Sequence, residues 1–390
     1  MKSLARRTDA LSQSDIRAIT KLVNAVNGIN LGQGICDLPT PEPIKQGAQQ
    51  AIADNHSIYT NYAGIKRLRA LILEKAQSYN RIPATSDEEV MVSVGSTGAF
   101  VAAIFALLEA DDEVILFEPF YGYHRNLLDL IGVDIKYLPT TMPDWSIDFD
   151  LLEQTITPKT KALVVTTPTN PTGKVWTRDE LERLLALMQK HDLYAITDEI
   201  YEYMLYDGHE HVSLASLPGA YERTVTLSGF SKTYNMTGWR LGYAVAAPPL
   251  IDKMGLLNDL FYICAPAPLQ HGVAEAFEMS DVYFEEMQEA YTAKRQLLCE
   301  TLEQIGFDVP WPDGSYYVFA NFERFSHTYD GFDDAQEACQ SLIEKAGVAT
   351  VPGHSFFEIP ERGRYFLRFC YAKEMPILQE ACNNLLNAFS

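Results

Sequence analysis

The most reactive candidate in this sequence is a lysine, Lys232, that follows a short apolar run. The run at 224–227 is rich in β-branched residues, which predicts a buried strand, and it leads into the segment SGFSKTYNMTGWRLG at 228–242. Partial desolvation at a strand end lowers the pKa of a lysine, and the free amine can attack a carbonyl carbon to form a Schiff base. Eight residues later, Arg240 offers a cation that suits a phosphate group. Taken alone, the segment fits an ordinary surface lysine better, since most lysines are solvated.

A second segment could bind a phosphate. Gly95-Ser96-Thr97-Gly98 follows a strand predicted over 89–94 and opens an apolar helix. Backbone N–H groups and the helix dipole at such a turn attract anions, so Ser96 and Thr97 are candidate phosphate ligands. The lysine of a P-loop is absent, and small residues at a tight turn are the simpler alternative.

Further predicted strand ends carry side chains that could hold a flat heteroaromatic ligand. A buried Asp198 can keep a ring nitrogen protonated, and the phenol of Tyr201 can bond to a ring oxygen. Asn170, in Asn-Pro-Thr-Gly, can donate to a ligand oxygen, and Tyr121 can lay its ring on a flat ligand. Each has a structural alternative: a helix start for Asp198, a turn for Asn170 and core packing for Tyr121.

Two other features concern charged or metal-binding side chains. Arg368 lies amid the strand residues Leu-Arg-Phe-Cys, where a buried guanidinium needs an anionic partner. The pair His209 and His211 has a spacing that could suit a metal, but no third ligand lies near it in the sequence. We therefore predict a solvated loop there and no metal site.

The elements that must position these residues alternate between strand and helix. Strands are predicted at 89–94, 113–117, 163–166, 193–197 and 224–227. This alternation predicts an α/β fold with a mostly parallel sheet flanked by helices, and the polar clusters follow the carboxyl ends of the strands, where such sheets bind ligands. After about residue 268 the pattern changes to that of a smaller α+β lobe.

The composition excludes several classes of protein. The chain has 390 residues, a formal net charge of −21 and 47% hydrophobic residues. This charge disfavours nucleic acid and anionic membranes as partners. The six scattered cysteines suit reduced thiols, and neither a signal peptide nor a transmembrane run is recognisable. We therefore expect a cytoplasmic protein with no membrane partner.

In this order, the motifs resemble one family across nearly the whole chain. Asn170-Pro-Thr-Gly, Asp198-x-x-Tyr201, Ser231-Lys232, Arg240 and Arg368 are similar to the class I/II pyridoxal-phosphate aminotransferases of fold type I, and most of all to the kynurenine/glutamine/methionine branch. The resemblance implies pyridoxal 5′-phosphate as cofactor. It also implies a large cofactor-binding domain at 45–280 and a discontinuous small domain at 1–44 and 281–390.

The resemblance assigns roles around the cofactor ring. Lys232 would hold the cofactor as a Schiff base and then move the substrate's α-proton, while Asp198, supported by His124, would keep the pyridine nitrogen protonated. Tyr201 and Asn170 would bind the phenolic oxygen. Tyr121 would stack on the ring.

The resemblance also assigns the phosphate, the substrate and the partner. The phosphate ligands would be Ser96, Thr97, Ser231, Arg240 and, from the partner of a homodimer, Tyr59. The family often has a serine at the position of Gly229, so Ser228 and Ser231 are both candidates for its replacement.

The expected substrate is an amino acid held through its α-carboxylate. Arg368 and Asn170 would bind this carboxylate, and Gly34 would close over the substrate. Ile16 and Cys264 stand where aromatic-substrate members of that branch carry a pocket tryptophan and histidine.

The sequence thus predicts an enzyme that transfers the α-amino group of a neutral or hydrophobic L-amino acid to a 2-oxo acid by a ping-pong mechanism. No second arginine can be assigned to a side-chain carboxylate. The alternatives are an aspartate/alanine-type aminotransferase, a lyase of the same fold (β-elimination or a ring-forming synthase) and a non-enzymatic binding or regulatory protein.

Overall fold

The fold contains two groups of strands. The computed structural model describes residues 15–389, with side chains from residue 19 onward. The strands, in chain order, are β1 (Ile29–Asn30), β2 (Val90–Val94), β3 (Glu113–Glu118), β4 (Asp134–Thr141), β5 (Ser146–Ile147), β6 (Thr160–Thr166), β7 (Tyr194–Asp198), β8 (Thr224–Gly229), β9 (Leu241–Val245), β10 (Tyr317–Asn321), β11 (Val348–Ala349), β12 (Val351–Pro352) and β13 (Phe366–Cys370).

An eight-stranded sheet forms the centre, in the order β2-β9-β8-β7-β6-β3-β4-β5. The pairs from β8 to β4 are parallel. Strand β9 is antiparallel to both of its neighbours, so β2 points in the same direction as β8. The carboxyl ends of β2, β3, β6, β7 and β8 therefore meet at one edge. Because β9 begins at Leu241, it brings Arg240 to that same edge.

The helices, in chain order, are α1 (Asp15–Ala25), α2 (Glu42–Ala53), α3 (Lys66–Ser78), α4 (Gly95–Leu107), α5 (Gly122–Ile131), α6 (Phe149–Thr155), α7 (Arg178–His191), α8 (Pro248–Tyr262), α9 (Ala267–Ala274), α10 (Val282–Ile305), α11 (Glu323–Ser326), α12 (Ala335–Ala346) and α13 (Met375–Phe389).

Helices cover both faces of the large sheet. Successive strand residues point to opposite faces, so Val164 packs with Phe100 of α4 while Val165 packs with Leu184 of α7. Burial on both faces explains why the parallel strands are continuous apolar runs in the sequence.

A second group of elements packs around its own apolar core. The antiparallel sheet β10-β13-β12 and the pair β1-β11 lie with α1, α10, α12 and α13. Large side chains such as Phe322, Phe332 and Phe369 fill this core. Its sheet carries Arg368, whose partner across β10 is Phe319.

The structure confirms the α/β fold with a mostly parallel sheet. Residues 348–352 form two short strands and not one, because β11 pairs with β1 whereas β12 pairs with β13. The boundaries at 44/45 and 280/281 remain predictions. Among residues 15–389, no helix is both long enough and apolar enough to cross a bilayer.

Candidate active site

A cavity of about 370 Å³ opens at the carboxyl edge of the large sheet. It brings together every predicted site residue except Tyr59. These lining residues are Gly34, Ser96, Thr97, Tyr121, Asn170, Asp198, Tyr201, Ser231, Lys232, Arg240 and Arg368. Residues as far apart in the sequence as Gly34 and Arg368 thus share one site, because the loops that follow parallel strands end at the same edge.

Lys232 lies in the loop after β8 with its side chain largely withdrawn from solvent. Burial lowers its pKa to about 8, and the positive charges of Arg368 and Arg240 act in the same direction. Its Nζ donates to the carbonyl oxygen of Gly34 at 3.2 Å. A substantial fraction of this lysine is therefore a free amine near neutral pH, as a nucleophile or base requires.

Asp198, the last residue of β7, is held in place from two sides. Its Oδ2 lies 3.2 Å from Nε2 of His124, and its Oδ1 accepts a hydrogen bond from the backbone N–H of Ile200 at 3.3 Å. The ring of Phe100 stacks on His124 at 4.4 Å between centroids. The carboxylate is thereby fixed at the cavity wall and can face a protonated ring nitrogen.

Tyr201 belongs to an aromatic pair that the sequence did not reveal. Its hydroxyl lies 3.3 Å from that of Tyr317, which comes from β10. Burial raises the pKa of Tyr201 well above its usual value, so this phenol remains a neutral hydrogen-bond donor. Tyr317 also lines the cavity. The residue types around Tyr317 are compatible with a strand, but nothing in them indicates which side chains Tyr317 contacts.

Arg368, from β13, also lines the cavity. Its Nη1 donates to Oδ1 of Asn170 and its Nη2 to the carbonyl oxygen of Gly32, both at 2.8 Å. The rings of Tyr317 and Phe356 lie 4.3 and 5.1 Å from its guanidinium carbon. Its Nε is buried and has no partner among the described residues. This guanidinium therefore retains donor capacity for an anionic ligand.

The start of α4 and Arg240 form the anion-binding end of the cavity. A Cβ on Gly95, whose φ is +68°, would lie 2.6 Å from Nη2 of Arg240, so only a glycine lets the guanidinium cross the helix start. Ser96 and Thr97 follow in the first turn. Free N–H groups, hydroxyls and a guanidinium together are the donors that a phosphate requires.

Of the two serines considered as phosphate ligands, the structure brings only Ser231 to the cavity. Ser231 is buried beside Lys232. The hydroxyl of Ser228 instead donates to Oε1 of Glu202 at 2.8 Å. Ser228 is therefore occupied elsewhere.

Tyr59 does not line the cavity within this chain. It is 76% exposed, as is its neighbour Ile58 at 82%. Its predicted contact across a subunit interface stays a prediction. The side chain of Ile16 lies outside the described residues.

The prediction of a solvated loop at the two histidines is wrong for His211. Its side chain is 1% exposed, and its Nε2 lies 2.8 Å from Oε2 of Glu199. His209 is partly exposed and lies 3.3 Å from Asp313. The two histidines therefore have different partners, Asp313 for His209 and Glu199 for His211.

The side chains of the cavity fit pyridoxal phosphate. An amine with a lowered pKa, a fixed carboxylate and a helix start crossed by a guanidinium match its aldehyde, its ring nitrogen and its phosphate. The donor capacity left on Arg368 matches a substrate carboxylate.

Comparison with known proteins agrees with this geometry. The family model "Aminotransferase class I and II" matches residues 26–385. An aspartate aminotransferase of Pyrococcus abyssi is 33% identical over 98% of this chain and 97% of its own. Human kynurenine–oxoglutarate transaminase 1 is 30% identical over 96% of both chains. The N-succinyldiaminopimelate aminotransferase structure from Mycobacterium tuberculosis has a TM-score of 0.93 at 31% identity, covering 98% of this chain and 99% of that one. This chain therefore belongs to the class I and II aminotransferases and is a pyridoxal-phosphate-dependent transaminase.

Proposed function

We propose that this transaminase moves the α-amino group of a neutral or hydrophobic L-amino acid to a 2-oxo acid by a ping-pong mechanism. The supporting observation is the charge of the cavity wall. Among the described residues, the lysines and arginines that line it are Lys232, Arg240 and Arg368. Each already has a role at the reacting amine, the phosphate or the α-carboxylate. No further fixed cation is left for a side-chain carboxylate.

Lys232 is the residue that moves protons. Bound pyridoxal phosphate supplies an electron sink that weakens the Cα–H bond of the amino acid. The Nζ of Lys232, with a pKa of about 8, would take the proton from Cα of the amino acid as a base and would then give it back as an acid. The same amine holds the cofactor when no substrate is present.

The other ring-facing residues hold the cofactor in place. Asp198, fixed by His124, keeps the ring nitrogen protonated, and the phenol of Tyr201 and the amide of Asn170 donate to the ring oxygen. Tyr121 covers the ring face. Ser96, Thr97, Ser231 and Arg240 bind the phosphate.

Arg368 orients the substrate through its α-carboxylate. Asn170 and Gly32 accept from its two terminal nitrogens, which fixes the plane of the guanidinium. Gly34 lines the cavity, and a Cβ there would come within 1.9 Å of the Tyr317 hydroxyl. A glycine is thus needed for this segment to approach Tyr317 so closely.

The substrate side chain would meet mainly apolar and aromatic surface. The remaining lining residues are the apolar or aromatic Phe100, Tyr123, Leu127, Ile200 and Tyr317 and the neutral polar Gln33, Thr166 and Thr237. This wall favours a neutral side chain over aspartate, although one relative is named for aspartate.

We further propose that the enzyme is a homodimer to which Tyr59 contributes across the interface. Exposed apolar residues extend from Ile58 and Tyr59 to α8, where Leu256 and Leu260 are 66% and 76% exposed. Asn258 of α8 donates to the carbonyl oxygen of Tyr62 at 2.7 Å, so the two segments form one face. Such a face is typical of a subunit interface.

A panel of amino acids tests the proposal. Each amino acid is mixed with the holoenzyme in the absence of a 2-oxo acid, and conversion of the cofactor from its aldehyde to its amine form is followed by absorbance. We expect conversion with neutral and hydrophobic amino acids and recovery of the aldehyde form when a 2-oxo acid is added.

Three outcomes would reject the proposal or a part of it. Preferential conversion by aspartate would show an aspartate-type enzyme, with a cation that the lining residues of one chain do not supply. Release of ammonia or a ring-closed product, with the cofactor left as the aldehyde, would show the lyase alternative. A binding protein would give no conversion at all.

A further inference from the structure

A buried charged cluster lies directly behind the cofactor-facing residues. Asp198, Ile200 and Tyr201 line the cavity, whereas Glu199 and Glu202 do not line it and are 0% and 2% exposed. The rear cluster, as we name it, consists of Glu199, Glu202, Lys75 and His211. No role proposed above uses it.

Glu202 has an unusually complete set of donors. Its carboxylate is bonded by Nζ of Lys75, by Nδ2 of Asn80 at 2.7 Å, by the hydroxyl of Ser228 at 2.8 Å and by that of Tyr243 at 3.4 Å. Burial alone would raise the pKa of this carboxyl, but the Lys75 ammonium and the neighbouring donors hold it below its usual value. Glu202 is therefore a carboxylate at neutral pH, and its position is fixed by three other elements.

Glu199 is held in the same way. Its carboxylate accepts hydrogen bonds from the hydroxyls of Thr197 and Ser213 at 2.9 and 3.0 Å and pairs with Nε2 of His211 at 2.8 Å. Its backbone N–H donates to the carbonyl oxygen of Leu227 in β8 at 2.8 Å. The carboxylates of Glu199 and Glu202 thus hold the two ends of the turn from Asp198 to Glu202 in place.

Two carboxylates and an imidazole could in principle bind a metal ion. The ligand atoms of Glu199, Glu202 and His211 all lie within 4.8 Å of one another. However, the Lys75 ammonium already contacts Oε2 of Glu202 and serves as the counter-ion. The cluster is therefore complete without a metal.

The rear cluster connects the strands that carry the reacting groups. Ser228 in β8 lies four residues before Lys232, and Tyr243 in β9 lies three residues after Arg240. Both hydroxyls donate to Glu202, and this residue follows Tyr201 directly. The Glu202 carboxylate thus accepts hydrogen bonds from the strand that precedes Lys232 and from the strand that follows Arg240.

We propose that Glu202 and Glu199 are positioning residues that hold the turn from Asp198 to Tyr201, and with it the Asp198 carboxylate and the Tyr201 phenol, in place for the cofactor. The inference rests on the roles proposed above for Asp198 and Tyr201. Both oxygens of each of these buried carboxylates accept hydrogen bonds, which fixes one arrangement of the turn, because any displacement leaves a charge without a partner.

The substitution Glu202→Gln tests it, because glutamine keeps the shape but leaves the Lys75 ammonium without its counter-ion. In the holoenzyme we expect kcat to fall about tenfold or more while KM for the amino acid changes by less than about twofold, since the contacts of Arg368 lie outside the cluster. The dissociation constant of pyridoxal phosphate should rise about tenfold, and the pH midpoint of the cofactor's visible absorption should shift by about half a unit or more, as expected when groups around a titrating link move.

Glu113→Gln is the matched control. Glu113 is also a buried carboxylate, with the ammonium of Lys136 at 3.4 Å and the Thr157 hydroxyl as a donor, but it lies at the amino end of β3, away from the cavity. We expect it to lower the melting temperature without moving the absorption midpoint, kcat or the cofactor affinity. If Glu202→Gln behaves as Glu113→Gln does, the cluster is only structural and the inference is wrong.

Ser228→Ala is a milder second variant in case Glu202→Gln does not fold. It removes one donor and keeps the charges of Glu202 and Lys75. We expect kcat to fall and the dissociation constant of pyridoxal phosphate to rise, each by about two- to threefold, and the absorption midpoint to shift in the same direction as in Glu202→Gln. Wild-type values in Ser228→Ala would then reject the inference. A stoichiometric metal ion that is lost in His211→Asn would also overturn it. A wild-type protein that does not attach pyridoxal phosphate at Lys232 would instead refute the proposed function.

Discussion

At the scale of single residues, the site depends on a lysine made reactive by its surroundings. The amine of Lys232 is buried near two guanidinium groups and faces the carbonyl oxygen of Gly34. Burial and the two positive charges both favour loss of its proton. The same lysine on the surface would be almost wholly protonated at neutral pH, so burial at a strand end converts a common residue into a base.

Removal of this amine should abolish the reaction. We expect Lys232→Ala to show no measurable turnover and no cofactor attached after borohydride reduction, because no other lysine lines the cavity among the described residues. Mass spectrometry of the reduced protein measures the attachment. Lys190→Ala, at an exposed position of α7, is the control and should retain both properties. Wild-type turnover in Lys232→Ala would reject the assignment.

The lowered pKa predicts the pH dependence of the free enzyme. Because the folded pKa of Lys232 is about 8, its amine should gain a proton as the pH falls through 8 and be free above it. The rate at which the cofactor-free enzyme takes up pyridoxal phosphate should therefore rise with pH and level off above about 8, well below the value of about 10.4 for an ordinary lysine. Stopped-flow absorbance measures this rate. A midpoint near 10 would show that the amine is not desolvated.

Arg368 should act on substrate binding more than on the chemical step. Loss of its charge-assisted contact with the α-carboxylate is expected to cost roughly 2–4 kcal/mol in Arg368→Ala, seen mainly as a higher KM. Arg368→Lys should fall between wild type and alanine, since an ammonium keeps the charge but not the fork geometry. Steady-state kinetics with one amino acid suffices. Wild-type constants in Arg368→Ala would remove this role.

Residue types and spacing predicted most of the cavity wall but not its cross-domain partners. Lys232, Asp198 and Asn170 were recognisable because each follows an apolar run. Tyr317 was not, because its place depends on the pairing of β10 with β13, set by residues about 50 positions apart. His211 was misread as solvated, since its partner Glu199 lies twelve residues earlier and faces it only after the chain has folded.

At the scale of helices and strands, the sequence predicts best those strands that are buried on both faces. The parallel strands are apolar on both faces and were found, with ends that differ by up to three residues. Strand β4 was missed because most of its residues are only partly buried and include a proline, so that no apolar run marks it. Strand β9 was missed because it starts directly after Arg240 and looks like a continuation of the loop, although β8 and β2 both pair with it.

The capping box of α7 predicts a local loss of stability. The Thr177 hydroxyl accepts from the backbone N–H of Glu180, whose side chain accepts from the backbone N–H of Thr177 at 2.9 Å. Thr177→Ala should lower the free energy of unfolding by about 1 kcal/mol and leave kcat unchanged, since α7 does not line the cavity. Thr177→Ser keeps the hydroxyl and should cost less. Denaturant unfolding monitored by circular dichroism checks both, and equal losses in the two variants would exclude capping as the cause.

At the scale of the whole molecule, the exposed apolar face is the feature that one chain does not explain. Phe105 of α4 and Phe261 of α8 are both partly exposed, and their ring centroids lie 5.4 Å apart. The face therefore extends along α4, whose first turn carries Ser96 and Thr97. A partner that covers this face would reach the phosphate end of the cavity. This placement supports a dimer in which each site is completed by the other subunit.

A hybrid dimer distinguishes this arrangement from a merely adjacent one. Tyr59→Ala should weaken cofactor binding and activity, and Lys232→Ala should be inactive. If Tyr59 acts in the partner's site, co-expression of the two variants with different affinity tags gives a hybrid in which one site has both native residues and the other has neither. The doubly tagged hybrid should then regain about half of the wild-type activity per dimer, because a two-fold dimer contains two equivalent sites. If Tyr59 acts within its own chain, no site in the hybrid is complete, and the activity of the hybrid should not exceed that of the Tyr59→Ala enzyme.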